Sequence, residues 1–132
     1  MEVNVRKNGV YVPKWRGNDK LSAKDQIKIH HRFLTSDERD DYIYLEDATV
    51  GQLTGGDALN RKYVQDGKGI AKLVTTKIEN LSIKDENGEK INIEDIDTLY
   101  QYSFPLLTAE YEMYLLNASQ VVDSKNDESP SG

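Results

Sequence analysis

Residues 68–117 carry two different hydrophobic periods, and the rest of the chain is organised around them. Ile70, Leu73, Val74 and Ile78 stand three and four positions apart, with Ala71 and Leu81 flanking, which is the spacing of one buried helical face. This pattern predicts a helix running to about Asn80, and Tyr63, a multiple of the same period upstream, extends the stripe backwards. Leu81, Ile83, Ile91 and Ile93 then alternate with polar residues on either side of Asn87-Gly88, a pair suited to the positive φ angles of a tight turn. A hairpin is predicted there. A helix beginning at Asn92 or Asp95 covers Ile96, Leu99 and Tyr100. Pro105 fits the first turn of a last helix, whose apolar side is Leu107, Tyr111, Tyr114 and Leu115.

Earlier in the chain, Val3, Val5, Val10 and Val12 flank Asn8-Gly9, predicting a hairpin over residues 2–13 that ends at Pro13, a residue with no ladder donor. Residues 26–34 place Ile27, Ile29, His31 and Phe33 on one face of a third strand. Thr35 to Glu38 match a capping box that starts a short helix. Tyr42, Ile43 and Tyr44 favour a strand, so residues 36–50 are open to both readings. Residues 51–56 form a glycine-containing connection, Asp57 is an N-cap for a helix to about Gln65, and Gly67 and Gly69 predict a break or bend before the core helix.

These elements describe an α+β fold: a small N-terminal antiparallel β-sheet, then a mainly helical half with a short β-hairpin. The expected core is Val5, Ile29, Phe33, Ile70, Leu73, Val74, Ile78, Leu81, Leu99, Leu107, Tyr111 and Leu115. A single domain is expected over residues 1–117 and a flexible acidic tail over 118–132, because nothing from Asp123 onward can pack.

Composition narrows the function classes. The net charge of −6, with basic residues scattered, disfavours nucleic acid and anionic membrane as partners. The absence of cysteine excludes disulfides, thiolate metal sites and cysteine nucleophiles. There is no apolar run of membrane-spanning length and no signal-like N-terminus, so a soluble cytoplasmic protein is expected.

Candidate chemistry is sparse. His30 and His31 are strand neighbours that point to opposite faces, which argues against their chelating one metal. Asp66-Gly67-Lys68-Gly69 lacks the full spacing of a phosphate loop and reads as a helix bend. Asp85-Glu86-Asn87-Gly88 has its glycine in the wrong place for a calcium loop. The acidic clusters Asp37, Glu38, Asp40, Asp41 and Glu94, Asp95, Asp97 sit at predicted helix starts, where the helix dipole favours them. No nucleophile–base pair, cofactor site or metal site is nominated, and no enzyme is expected.

Trp15 reads as a lid over the small sheet or as a partner contact. The tyrosines around Phe104 read as core or as a protein-binding surface. Tyr111 and Tyr114 share a face with Leu107, whereas Tyr102 and Met113 point elsewhere. Trp15, Tyr102, Phe104 and Met113 are therefore the candidate partner-binding residues. A local basic-aromatic patch of Lys14, Trp15, Arg16, Lys20 and Lys24 would serve a nucleic-acid binder.

The run Lys77-Ile78-Glu79-Asn80-Leu81-Ser82-Ile83, a polar glycine turn, Ile91-Asn92-Ile93-Glu94-Asp95 and a proline-bearing helix resembles small tail-associated proteins of tailed bacteriophages and prophages. Tyr11 to Asn18 and Gln26 to Ile29 are similar to the extended N-terminal part of such chains, so the resemblance spans residues 10–117. It implies a non-enzymatic tail assembly chaperone that binds tape-measure or other tail proteins in the host cytoplasm. A minor structural component of the tail or head–tail junction is the alternative, and self-association is left open. Gly67, Gly69 and the acidic tail do not map onto the family pattern.

Overall fold

In the computed structural model, residues 1–49 and 59–122 are described. The first half contains β1 (Asn4–Val5), β2 (Asn8–Tyr11), a 3-10 turn (Trp15–Lys20), β3 (Lys28–Arg32), α1 (Ser36–Tyr42) and β4 (Ile43–Thr49). The second contains β5 (Leu59–Gln65), α2 (Gly67–Val74), β6 (Thr75–Glu79), β7 (Ser82–Lys84), β8 (Lys90–Asn92), α3 (Ile96–Gln101), α4 (Pro105–Asn117) and β9 (Val121–Val122). The fold is α+β.

Its centre is the antiparallel sheet β2-β3-β6. The alternation read in residues 26–34 is realised: Ile27, Ile29, His31 and Phe33 are all buried. Ile27 and Ile29 share one core with Ile70, Ala71 and Val74 of α2, Ile96 and Leu99 of α3, and Leu107, Tyr111 and Leu115 of α4. Local signals set the helix starts. Thr35 and Glu38 complete the capping box of α1, Asp95 caps α3 by accepting from the Thr98 amide, and Pro105 opens α4. The Asn87-Gly88 hairpin also forms, with Ile83 opposite Ile91 and Asp85 accepting from the Asn87 and Glu89 amides.

Several expectations are corrected. There is no hairpin at Asn8-Gly9: β1 pairs with β9, in register Asn4↔Val122 and Val5↔Val121, while β2 pairs with β3. Gly9 instead lies under the His31 ring, where a Cβ would fall 2.6 Å from two ring atoms. Val5, on the terminal pair, is exposed and not core. The core helix stops at Val74, six residues short, because the β-branched Thr75 and Thr76 lead into β6 and Ile78 pairs with Ile29. Ile78 is buried from a strand, and Leu73, on the outer side of α2, is 38% exposed.

The helix expected up to Gln65 is β5, paired with β4 along its whole length, and Asp57 lies outside the described residues. Of the break or bend expected at Gly67 and Gly69, the chain makes a break: Asp66-Gly67-Lys68-Gly69 is a helix start and not a helix bend, since Asp66 caps α2 by accepting from the Gly69 amide. Of residues 36–50, the described 36–49 hold both a helix and a strand, meeting between Tyr42 and Ile43. The connection at 51–56 lies outside the described residues. Of the expected tail 118–132, Val121 and Val122 form β9 against β1, and 123–132 lie outside the described residues.

Candidate protein-binding face

α4 is apolar on two sides. Its inner side, Leu107, Tyr111 and Leu115, is buried, and Tyr111 anchors it to the sheet through a 2.7 Å hydrogen bond with the Thr75 hydroxyl. Its outer side carries Leu106 at 74% exposure and Met113 at 63%. Those two stand two helical turns apart, on one outward stripe. A helix apolar all round is normally enclosed on all sides. Here the outer stripe is open among the described residues.

Beside Met113 a groove of about 820 Å³ runs between α4 and the strand ends, with Tyr11, Tyr114 and Val121 as apolar lining and Arg6, Lys14 and Glu110 as polar rim. Its floor is rigid. Tyr11 stacks on Tyr114 with centroids 4.2 Å apart and donates its hydroxyl to Glu110, which also accepts from the Lys14 amide at 2.7 Å. Tyr114 is held in turn by His31. Burial, followed by the hydrogen bond to the Glu110 carboxylate, pushes the Tyr11 hydroxyl well above the usual tyrosine range, so it stays a protonated donor.

A second groove of about 510 Å³ lies around the 3-10 turn, lined by Trp15, Leu21, Ile83 and Phe104 among others. Trp15 meets Phe104 edge-on at 5.8 Å, and the Arg16 guanidinium lies 4.6 Å above the indole. Buried Asn18 fixes this turn: its amide donates to the Pro13 and Ile27 carbonyls and its oxygen accepts from the Ile27 amide.

The four residues nominated from sequence therefore separate. Trp15 and Phe104 touch, Met113 belongs to the other groove, and Tyr102, exposed at the end of α3, lines neither. Leu106 and Tyr11 escaped the sequence reading; the spacing of Leu106 from Met113 was the available signal.

The two histidines and the Arg32–Glu38 pair have structural partners. His31 is buried, bonded to the Arg32 carbonyl and the Tyr114 hydroxyl, whereas His30 bonds Glu79 on the neighbouring strand. The bidentate Arg32 guanidinium, helped by the Thr35 amide, holds the Glu38 carboxyl down at about 2. No group of three or more potential metal ligands comes together among the described residues. No helix among them is long and apolar enough to cross a membrane. Compared with known proteins, the chain matches no protein-family model, and no curated protein or solved structure gives a significant match.

Proposed function

We propose that this protein is a non-enzymatic binding factor of phage tail assembly, a chaperone that holds an amphipathic helical segment of a tape-measure or other tail protein along the outer face of α4. One observation carries the binding part of the reading: Leu106 and Met113 are exposed on a helix whose inner side already fills the core. Apolar anchors repeating every two turns suit a partner helix with its own apolar stripe. Methionine accommodates partners of differing shape, which suits a chaperone that covers many segments of a long client. The assignment to phage tails rests on the resemblance across residues 10–117.

The test is co-expression with the tail proteins encoded beside it, followed by affinity capture and size-exclusion chromatography. The unaltered chain captures a helical tail protein. Leu106→Lys and Met113→Lys abolish capture while keeping the wild-type melting temperature. Undiminished capture by both variants would place the interface elsewhere, and Trp15→Ala and Phe104→Ala then examine the second groove.

A further inference from the structure

The two-stranded ribbon β4–β5 is unused by the reading above. Its seven register pairs run from Ile43↔Gln65 to Thr49↔Leu59, about 23 Å of ladder. Among the described residues no third strand joins it. A two-stranded ribbon is marginal in water by itself, and each of its edges presents unpaired backbone donors and acceptors. The ribbon also exposes apolar side chains: Leu45 and Tyr63, directly opposite one another, are each 58% exposed.

Charge indicates what covers it. β4 carries Glu46 and Asp47 and no basic residue; β5 carries Arg61 and Lys62 and no acidic one. In the register, the Cα of Glu46 pairs with that of Lys62 and the Cα of Asp47 with that of Arg61. One strand of the ribbon is therefore acidic in sequence and the other basic. Pairing β4 with β4, or β5 with β5, between copies would set like charges side by side, which is unfavourable. Pairing β4 of one copy with β5 of the next repeats the intrachain register, keeps the strands antiparallel and continues the Leu45–Tyr63 row across the junction.

We infer that this ribbon is a self-association surface, on which a second copy of the chain adds its basic β5 edge to the acidic β4 edge. The contact is heterologous: each copy uses one edge and leaves the other for a further copy. Such an assembly closes into a ring or extends as a filament according to the rotation per step. It does not depend on the tail-protein reading, and Leu106 and Met113 take no part in it.

Charge reversal separates this contact from any other. By analytical ultracentrifugation the unaltered chain shows concentration-dependent association. Glu46→Lys and Lys62→Glu each weaken it roughly tenfold or more, because like charges then meet at every junction. Mixed in equal amounts, the two variants associate again, since position 46 of one copy and position 62 of the next then carry opposite charges at every junction. No intrachain effect produces that recovery. A second measurement exploits the lack of native cysteine. Leu45→Cys and Tyr63→Cys chains, mixed under oxidising conditions, form a mixed disulfide dimer in preference to either homodimer. A wild-type chain that stays monomeric at high concentration, single variants that associate normally, or a mixture that stays dissociated would each overturn the inference.

Discussion

The His31 Nε2 lies 2.8 Å from the Tyr114 hydroxyl, with the two rings near perpendicular at 72°. The Arg32 carbonyl at 2.8 Å from Nδ1 can only accept, so in the neutral ring the proton sits on Nδ1 and Nε2 accepts from Tyr114. This pair ties β3 to the outer part of α4, and through Tyr114 it supports the floor of the Met113 groove.

Burial, with the nearby Arg6 charge acting in the same direction, lowers the His31 pKa from its ordinary 6.5. Above 6.5 both the folded and unfolded forms are neutral and the full stability is present. Below it, the unfolded chain takes up a proton that the fold resists, so stability falls as pH falls through the folded-state value. Melting temperature should drop as pH falls below 6.5, and His31→Gln should flatten that drop. An equally steep fall in the variant would assign the effect to another group.

Gly9→Ala should destabilise by about 1–3 kcal/mol. The added methyl meets the His31 ring at 2.6 Å and Phe33 at 3.0 Å, and the ring is pinned by its two hydrogen bonds. Urea denaturation gives the cost. If Gly9 were serving a turn by backbone freedom, enlarging the space with His31→Ala would not relieve the substitution; relief in the double variant identifies the steric cause.

Asn18→Ala should cost about 1–3 kcal/mol, because the Ile27 amide and the Pro13 and Ile27 carbonyls lose a buried partner. Asn18→Asp keeps the acceptor and loses both donors, and should also destabilise. The loosened turn should show as a changed Trp15 fluorescence spectrum before global unfolding.

Ile78→Ala should cost about 2–5 kcal/mol and Leu73→Ala less than about 1 kcal/mol. Ile78 is 2% exposed and Leu73 38%. The contrast checks the boundary at Val74: the sequence pattern that carries the helix on to Asn80 puts both residues in the core, whereas a strand from Thr75 buries Ile78 alone.

Those two residues also show where sequence reasoning reaches its end. Caps and turns are decided within a few residues, so Thr35 with Glu38, Asp95, Pro105 and Asn87-Gly88 were legible. Ile78 sits four after Val74, a spacing that a helix and a helix-to-strand switch both satisfy, and only the β-branched Thr75-Thr76 between them marks the switch. Strand partners are decided by the whole chain. Val5 has its partner at Val121, and Gly9 carries the signature of a turn while serving as the space for a ring on the next strand. At the candidate site, Met113 and the aromatic pair of Trp15 and Phe104 were legible as residue types. Their division between two grooves was not, because it depends on how α4 lies across the sheet.

The pairing of β1 with β9, reinforced by the Arg6 amide on the Gln120 carbonyl at 3.0 Å, sets the first and last described strands side by side. A polypeptide whose entry and exit strands are neighbours can be grafted whole into a surface loop of a host protein without pulling its ends apart. It can equally be joined there by a short linker and reopened at the exposed Asp85-Glu86-Asn87-Gly88 turn, giving a permuted chain with every strand partnership retained.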